Sequence, residues 1–507
     1  MIGSDTDRTA APRSHHARGA VHSHGEAAPP GGSRESRAEP VAAADAIAGV
    51  GLGLRPELAA LLLAAHGRSD TGPQAGACRV RFVEVVAEAC MANPLARREA
   101  LAATALWPVV PHGVKLSLGS ADGIRDDHAA RLGSLARELR APLVSEHVSF
   151  TRSATRDIGH LTRLPYTHAA LRVLARNVAR ARRHLPDVPL LLENAAATVV
   201  WPDDELDEPE FYAALVRASG CALLLDVGNL YANAVNAGRD PETELLRFPL
   251  DAVAMFHIAG GAWEHGFYFD THADPIGEPV FALLATALRH TGPRPILLER
   301  DGGFDELAGL QRELAQLGAL HDAAGPVRGR VTAGAGEPTT DGDDVALAAA
   351  QHALALALTA VESPDAAIEA RFGREPLART RTILARKRID DALPHLPQLA
   401  QLAAAVRPHA EAALAGTART ERFASLSDAW RIAERARTDA ALRDAAALDG
   451  LLLRARFRAP DATGALRPRA APFVGRTHAH GRIAWAFKGP GRTANVHLVH
   501  ANPRSRT

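Results

Sequence analysis

The chain predicts a TIM (β/α)8 barrel followed by a mainly helical C-terminal domain that ends in a β-hairpin. Three observations carry this expectation. Eight short apolar runs alternate with helical stretches between residues 46 and 322. Nearly all of those runs finish on a carboxylate or an imidazole. A Gly/Pro-rich break at 323–344 separates them from a second block. Eight strand–helix units in a segment of this length match the size and period of a barrel. A doubly wound open sheet is the rival, but it would leave an edge strand with a less apolar reading.

In chain order the runs are IAGVGLGL (47–54), VRFVEVVAE (80–88), VVPHGVKLSL (109–118), APLVSEHVSF (141–150), PLLLENAA (189–196), CALLLDVGNLY (221–231), AVAMFHIAGG (252–261) and PILLERDGG (295–303). Between them lie stretches such as HAALRVLARNVARARRHL (168–185), whose leucines and valines recur at helical spacing. Residues 1–45 are rich in Gly, Pro, Ser and His and predict a disordered tail, in which His15, His16, His22 and His24 form no ordered site. Residues 323–344 predict a linker, and 345–507 a helical accessory domain.

Bulk properties exclude several classes. At 507 residues the chain exceeds one ordinary core, and its 58 basic and 58 acidic residues advertise neither nucleic acid nor an anionic membrane. Cys78, Cys90 and Cys221 are scattered and odd in number, which argues against a disulfide framework and for a reducing, cytoplasmic setting. No apolar stretch reads as a membrane span, and the first residues lack the apolar core of a signal peptide.

In a barrel the active site forms at the C-terminal ends of the strands. Reading each run to its end gives Glu84 and Glu88, His112, Glu146 and His147, Glu193 and Asn194, Asp226 and Asn229, His257, and Glu299 with Asp301. The segment FYFDTHADPIG adds Asp270 and His272 on a loop. Each residue alone has a bland explanation, since a strand-end Asp often caps the next helix. Convergence is the informative feature. So many like charges cannot share one small mouth unless protons or cations neutralise them. Mixed imidazole and carboxylate sets suit Fe, Mn or Zn better than Mg or Ca, and more than four ligands implies more than one ion, with Glu193 able to bridge. This pattern by itself leaves hydrolysis, isomerisation and redox chemistry open.

The C-terminal block opens with VALAAAQHALALALTAVE behind Asp341, Asp343 and Asp344, which favour a helix N-terminus. PLARTRTILARKRIDDALPHLPQLAQLAAAV predicts a further pair of helices broken at Pro394 and Pro397. GRIAWAFKGPGRTANVHLVHA predicts a hairpin about Gly489–Pro490–Gly491. The basic group Arg379, Arg381, Arg386, Lys387 and Arg388 reads as a solvated helix face, or alternatively as a docking surface for an acidic leader peptide. His478 and His480 lack a matching ligand set.

The motifs PHGVKLSLGS, SEHVSF, LLENAA, DVGNLYANAVN, FHIAGG, DTHADPI and LLERDGG together resemble the multinuclear non-haem iron-dependent oxidative enzymes, also known as domain of unknown function 692, of which the enzyme of methanobactin biosynthesis is a member. The resemblance covers 46–310 and implies a TIM barrel of the xylose-isomerase-like type. It implies oxidation of cysteine, or occasionally another residue, in a ribosomally made precursor peptide, with O2 as co-substrate and two or three Fe(II)/Fe(III) ions. Carried over motif by motif, it implies that His112, His147 and Glu193 hold one iron. Glu193 would bridge to a second held by Asp226, His257 and Glu299, and Asp270, His272 and Asn229 would form part of a third site. Glu193, Asp226 and His257 are then the residues at the reaction centre. Two departures bear on the third ion: Gly228 stands where the family has Asn, and Val235 where it has a His. Ala89 likewise replaces a common Asn beside Glu88.

Members of that family commonly work with a separate partner that presents the peptide. Domain order and the long linker therefore suggest that the block 345–507 binds the precursor in cis, the rival being that it covers one face of the barrel or mediates dimerisation. Charge and hydropathy point to no nucleic acid and no membrane, and the oligomeric state stays open. A divalent-metal isomerase or phosphoester hydrolase on the same barrel type is the alternative from another reaction class. A non-catalytic ligand-binding barrel is the alternative outside enzymes.

Overall fold

The computed structural model describes residues 47–59, 62, 80–154, 156–304, 306–325, 344–359, 364–415, 417, 423–461, 466–491 and 495–501. The tail 1–45 and nearly all of the linker lie outside the described residues.

Every apolar run supplies one barrel strand. The strands are β1 (Val50–Gly53), β2 (Phe82–Val86), β3 (Val109–Gly113), β4 (Val144–His147), β5 (Phe150–Ser153), β6 (Arg156–Thr162), β7 (Leu190–Glu193), β8 (Ala222–Asp226), β9 (Val253–Ile258), β10 (Gly261–Glu264), β11 (Phe267–Asp270) and β12 (Ile296–Leu298). Eight of them close into a barrel in the order β1-β12-β9-β8-β7-β4-β3-β2. All neighbours run parallel, and the pairing of Val50 with Ile296 completes the ring. Closure removes the free edges that an open sheet would have. The remaining four strands form two antiparallel hairpins, β5–β6 directly after β4 and β10–β11 directly after β9. Both therefore rise from the strands' C-terminal ends.

Side chains alternate faces along a strand, so residues two apart share one face. The barrel interior uses this directly. Phe82, Val110, Leu143, Leu191, Leu224, Met255 and Leu297 form an apolar layer inside the barrel. Two residues further along the same strands stand Glu84, His112, Ser145, Glu193, Asp226, His257 and Glu299. Gly51 leaves room for this floor, because a Cβ there would lie 2.5 Å from the Phe82 ring. The polar ring thus rests on a packed hydrocarbon base.

The principal barrel helices include α1 (Pro94–Ala103), α2 (Asp126–Leu139), α3 (His168–Arg182), α4 (Glu208–Ser219), α5 (Val227–Asn236), α6 (Glu278–Thr291) and α7 (Leu307–Ala323). Several carry the start signals expected of helices. Thr167 caps α3, and Asp207 and Glu210 form a reciprocal capping box on α4. Asp226 caps α5 while also ending β8.

The C-terminal block contributes α8 (Val345–Thr359), α9 (Arg374–Ala392), α10 (Ala403–Leu414), α11 (Ala424–Ala436) and α12 (Arg443–Arg456). It ends in a three-stranded antiparallel sheet of β13 (Phe473–Ala479), β14 (Arg482–Lys488) and β15 (Val496–Ala501). The expected hairpin is β14–β15, and β13, which contains RTHAHGR's His478, adds a third strand. Leu347, Leu354, Leu358, Phe372, Leu377 and Leu384 share one apolar core with the barrel helices, whereas α10, α11 and α12 build a separate core around Val406, Ile432 and Leu453. Fully buried Gln351 stitches α8 to the barrel: its Nε2 donates to the Gly119 carbonyl (2.7 Å), and its Oε1 accepts from the Ala121 amide (2.9 Å).

Most of the basic group on α9 is engaged by neighbouring elements, although Arg386 and Lys387 remain exposed. The Arg379 guanidinium stacks 3.8 Å over Phe267, Arg381 donates to the Ala357 carbonyl, Arg386 pairs with Glu264 at 3.2 Å and Arg388 pairs with Asp428. Sequence periodicity could not see these partners, which lie on the β10–β11 hairpin and on other C-terminal helices. Among the described residues no helix is long and apolar enough to cross a membrane. Cys90 and Cys221 are buried free thiols.

Candidate metal centre

The barrel's C-terminal mouth brings together four imidazoles and a set of carboxylates. Glu193 lies at the centre. Its Oε2 is 3.4 Å from both His112 Nε2 and His147 Nε2, and its Oε1 is 3.1 Å from His257 Nδ1. His257 Nδ1 is also 3.6 Å from Glu299 Oε1, and Glu299 Oε2 is 3.0 Å from His272 Nδ1. The His112 ring centroid lies 4.6 Å from that of His147 and 5.4 Å from that of His257. Four groups of three residues have donor atoms close enough to share one ion: His112–His147–Glu193, Glu193–Asp226–His257, Asp226–His272–Glu299 and Glu84–His112–Glu299.

The far nitrogens fix which atoms face inward. His147 Nδ1 sits 3.3 Å from the Gly113 carbonyl, which can only accept, so Nδ1 carries the proton and Nε2 presents a lone pair to Glu193. His257 Nε2 lies 3.1 Å from Glu84 Oε2, so a neutral ring with its proton on Nε2 would turn the Nδ1 lone pair toward Glu193 and Glu299, whereas with no ion bound the surrounding carboxylates raise its pKa and favour the protonated ring. His112 Nδ1 meets Ser145 Oγ at 2.9 Å. The His147 lone pair therefore faces Glu193 Oε2 across the mouth. Glu193 Oε2, Asp226 Oδ2, Asn229 Oδ1 and His257 Nδ1 are all buried without a hydrogen-bond partner among the described residues. Buried acceptors left in that state are costly, and cations are what such an arrangement accommodates. The donor set fits transition-metal ions held by imidazole and carboxylate.

Asp226 serves two purposes. Its Oδ1 accepts from the Asn229 amide (2.6 Å) to cap α5, while Oδ2 stays free. Asn194 locks the neighbouring strand tops by donating to the Asp226 carbonyl and accepting from its amide. Asn229 is anchored through Nδ2 on the Asn194 carbonyl (3.0 Å). His272 follows β11 with φ 53°, a left-handed backbone unusual for a non-glycine residue, and its Nε2 contacts Asp270 Oδ2 at 2.6 Å.

Electrostatics reflect the crowding. Burial, opposed by His257, pushes the Glu193 carboxyl up to about 8, and burial together with Asp270 raises Asp226 to about 7. Burial lowers His147 to about 4 and holds His112 well below its usual range. Burial would lower His257 and His272 too, but it is outweighed by Glu84, Glu193 and Glu299 around the first and by Asp270 and Glu299 around the second, so both are raised. Glu299 moves the other way: His272 and His257 overcome its burial and hold it low.

Not every strand-end residue joins this mouth. Glu146 occupies the alternate face from His147 and spends its oxygens on the amides of Leu116 and His147. Glu88 accepts from the Val114 and Lys115 amides and contacts His128 Nε2 at 2.8 Å, tying β2 to the loop after β3. Asp301 stands at the rim, binding Arg55 at 2.6 Å while its other oxygen lies 3.8 Å from His272 Nδ1. Conversely, the role of Glu84 beside His257 was visible in the sequence only as a strand-end position. A cavity of about 300 Å3 opens over the cluster, lined by His112, His147, His272 and Glu299 below and by Phe267, Tyr268 and Ile383 around it. That is the lower end of the ~300–1,000 Å3 typical of small-ligand pockets.

A closed parallel barrel with these clustered imidazoles and carboxylates defines the class: a TIM-barrel enzyme with buried groups able to hold metal ions. Residues 49–322 match the family model described as RiPP precursor modification enzyme MbnB/TglH/ChrH, and the chain belongs to that family, whose substrates are ribosomally made precursor peptides. It is 40% identical over 288 residues to a UPF0276 protein of Streptomyces avermitilis, covering 55% of this chain and 56% of that one. It is 41% identical over 214 residues to a UPF0276 protein of Chromobacterium violaceum, covering 42% and 77%. Among solved structures, endonuclease IV from Thermus thermophilus aligns with a TM-score of 0.35 and 19% identity over 53% of this chain and 98% of that one. A xylose isomerase domain protein from Planctomyces limnophilus aligns with a TM-score of 0.34 and 16% identity over 49% and 90%.

Proposed function

We propose that the protein is a multinuclear non-haem iron enzyme that uses O2 to oxidise a cysteine, or another residue, of a ribosomally synthesised precursor peptide. The observation that carries this reading is the set of buried polar atoms without a hydrogen-bond partner among the described residues, Glu193 Oε2, Asp226 Oδ2 and His257 Nδ1, packed among further imidazoles. In this reading His112, His147 and Glu193 hold one iron, and Glu193, Asp226, His257 and Glu299 a second. Asp270, His272 and Asn229 belong to a third position, which lacks the ligands that Gly228 and Val235 replace. Bound iron would supply one-electron redox capacity together with positions where substrate sulfur and O2 can bind.

The chain's own contribution is positioning. Glu84, Ser145 and the Gly113 carbonyl hold the ring angles of His257, His112 and His147, and the Gly113 carbonyl also fixes the His147 tautomer. The apolar floor and the Phe267–Phe269 wall limit water at the reacting side chain. Four imidazoles favour a transition metal over the oxygen-only sets of a magnesium isomerase. We place the work in the reducing cytoplasm, consistent with the two buried free thiols.

The C-terminal block is proposed to bind the precursor in cis. The outer face of its sheet supports this, with Val474, Phe487 and Val499 exposed beside Trp485. The experiment is co-expression of the full chain with a short cysteine-containing peptide encoded beside its gene, followed by mass spectrometry of the peptide. A mass change that requires iron and O2 and disappears in Glu193→Gln supports the proposal. A peptide modified equally well in iron-depleted, zinc-loaded protein would assign the barrel to non-redox chemistry.

A further inference from the structure

The cavity over the cluster is roofed in part by α9 of the C-terminal block. Thr380, Ile383 and Lys387 recur at helical spacing on its barrel-facing side. Thr380 Oγ1 meets Thr198 Oγ1 at 2.9 Å, and Ile383 and Lys387 line the cavity. Arg379 and Arg386, on the adjoining stripe, clamp the β10–β11 hairpin through Phe267 and Glu264. Lys387 is thus delivered to the mouth on a rigid, doubly anchored element.

Its bonding is one-sided. Lys387 Nζ lies 3.1 Å from His160 Nδ1 on β6 and pairs with no carboxylate among the described residues. Arg55, which also lines the cavity, is by contrast bound to Asp301. An ammonium can only donate, so His160 Nδ1 is the acceptor and the proton of that ring resides on Nε2. His160 Nε2 is buried and also has no partner among the described residues. The cavity wall therefore holds an ammonium with hydrogens to spare and a buried ring N–H lacking an acceptor. Both call for an anion with oxygen acceptors.

We infer that Lys387, assisted by His160, is the specificity-determining anion site of the substrate pocket and takes a carboxylate of the peptide substrate, either the chain's C-terminus or an acidic side chain beside the reacting residue. This rests on the peptide-modifying reading above. The separation of charges is consistent with it. Lys387 stays solvent-exposed at the cavity rim, where the surrounding protein atoms lower its pKa against the pull of Asp270, Asp391 and Asp301, and burial beside Lys387 keeps His160 neutral. A carboxylate arriving there would replace lost hydration with charge-assisted hydrogen bonds. The cavity admits a side chain or two and not a folded segment, so such a contact would select the reacting residue by its neighbour.

The test is calorimetric titration of full-length protein of recorded metal content with N-acetyl-L-cysteine, its amide, and N-acetyl-Cys-Asp-amide. The wild type should bind one of the two acids at least about tenfold more tightly than the amide, which is about 1.4 kcal/mol. Preference for N-acetyl-L-cysteine assigns a C-terminal carboxylate, and preference for the Asp-containing probe assigns a side chain. Lys387→Gln, which retains a donor for His160, should bring the preference within about twofold, while Lys387→Arg should keep most of it. Equal binding of acid and amide by the wild type, or a full preference retained by Lys387→Gln, overturns the inference. N-acetyl-L-alanine and its amide repeat the comparison without a thiol. Discrimination there would survive a failure of the iron reading, so the two failures are distinguishable.

Discussion

Replacing Glu193 by Gln should have opposite effects on stability and on metal binding. In the metal-free protein the Glu193 carboxyl is raised from its ordinary 4.5 to about 8, chiefly by burial. The native state therefore holds a proton that the unfolded chain releases between those two values. The contribution of this group to stability is fully present below pH 4.5, falls as pH rises through the window and levels off above about 8. At pH 7 this amounts to about 3 kcal/mol, taking ~1.4 kcal/mol per unit over the ~2.5 units between 4.5 and 7. Glutamine carries no such proton, so metal-free Glu193→Gln should be more stable than the metal-free wild type by up to about 3 kcal/mol at pH 7. The two should converge near pH 4.5. Urea unfolding of chelator-treated protein at several pH values measures this. Asp226, also raised, to about 7, should leave a residual slope in the variant. With iron supplied, the same variant should lose at least one bound ion per chain, because an oxygen facing two imidazoles 3.4 Å away has become part of a neutral amide. A variant that is less stable without metal at pH 7, or that keeps the full metal complement, would refute the reasoning.

Two further outcomes follow from the geometry. Glu84→Gln should leave the fold intact but weaken metal retention about 10–100-fold, as loss of a histidine's outer partner typically does, measured by competition with a chromophoric chelator. Unchanged retention would mean that Glu84 does not orient His257. Gln351→Leu strands the Gly119 carbonyl and the Ala121 amide beneath α8 and should cost about 2–4 kcal/mol, with faster hydrogen exchange in α8 and in the loop after β3. Equal protection in variant and wild type would show that α8 is held by its leucines alone.

The barrel was legible because each strand is an apolar run of the right length, and the mouth was legible because those runs end on titratable residues. Closure itself is set by the pairing of β1 with β12, a contact between chain ends that local periodicity does not encode. Strand alternation explains the partial reading at SEH: Glu146 and His147 are adjacent letters on opposite faces, and only the imidazole joins the cluster. The hairpins β5–β6 and β10–β11 were hidden inside longer runs and loops. Lys387 and His160 lie 227 positions apart, so their meeting over the mouth had no sequence signal beyond a basic residue on a helix. For the same reason the arginines of α9 resembled a solvated face, although their partners sit on separate elements.

The most direct test of the central claim is elemental analysis combined with Mössbauer spectroscopy on full-length protein purified from iron-replete cells. The account predicts at least two iron ions per chain, magnetically coupled through a shared carboxylate, with the coupling lost in Glu193→Gln. Protein that stays below one transition-metal ion per chain under anaerobic reconstitution, or whose irons are uncoupled and indifferent to Glu193, would contradict it.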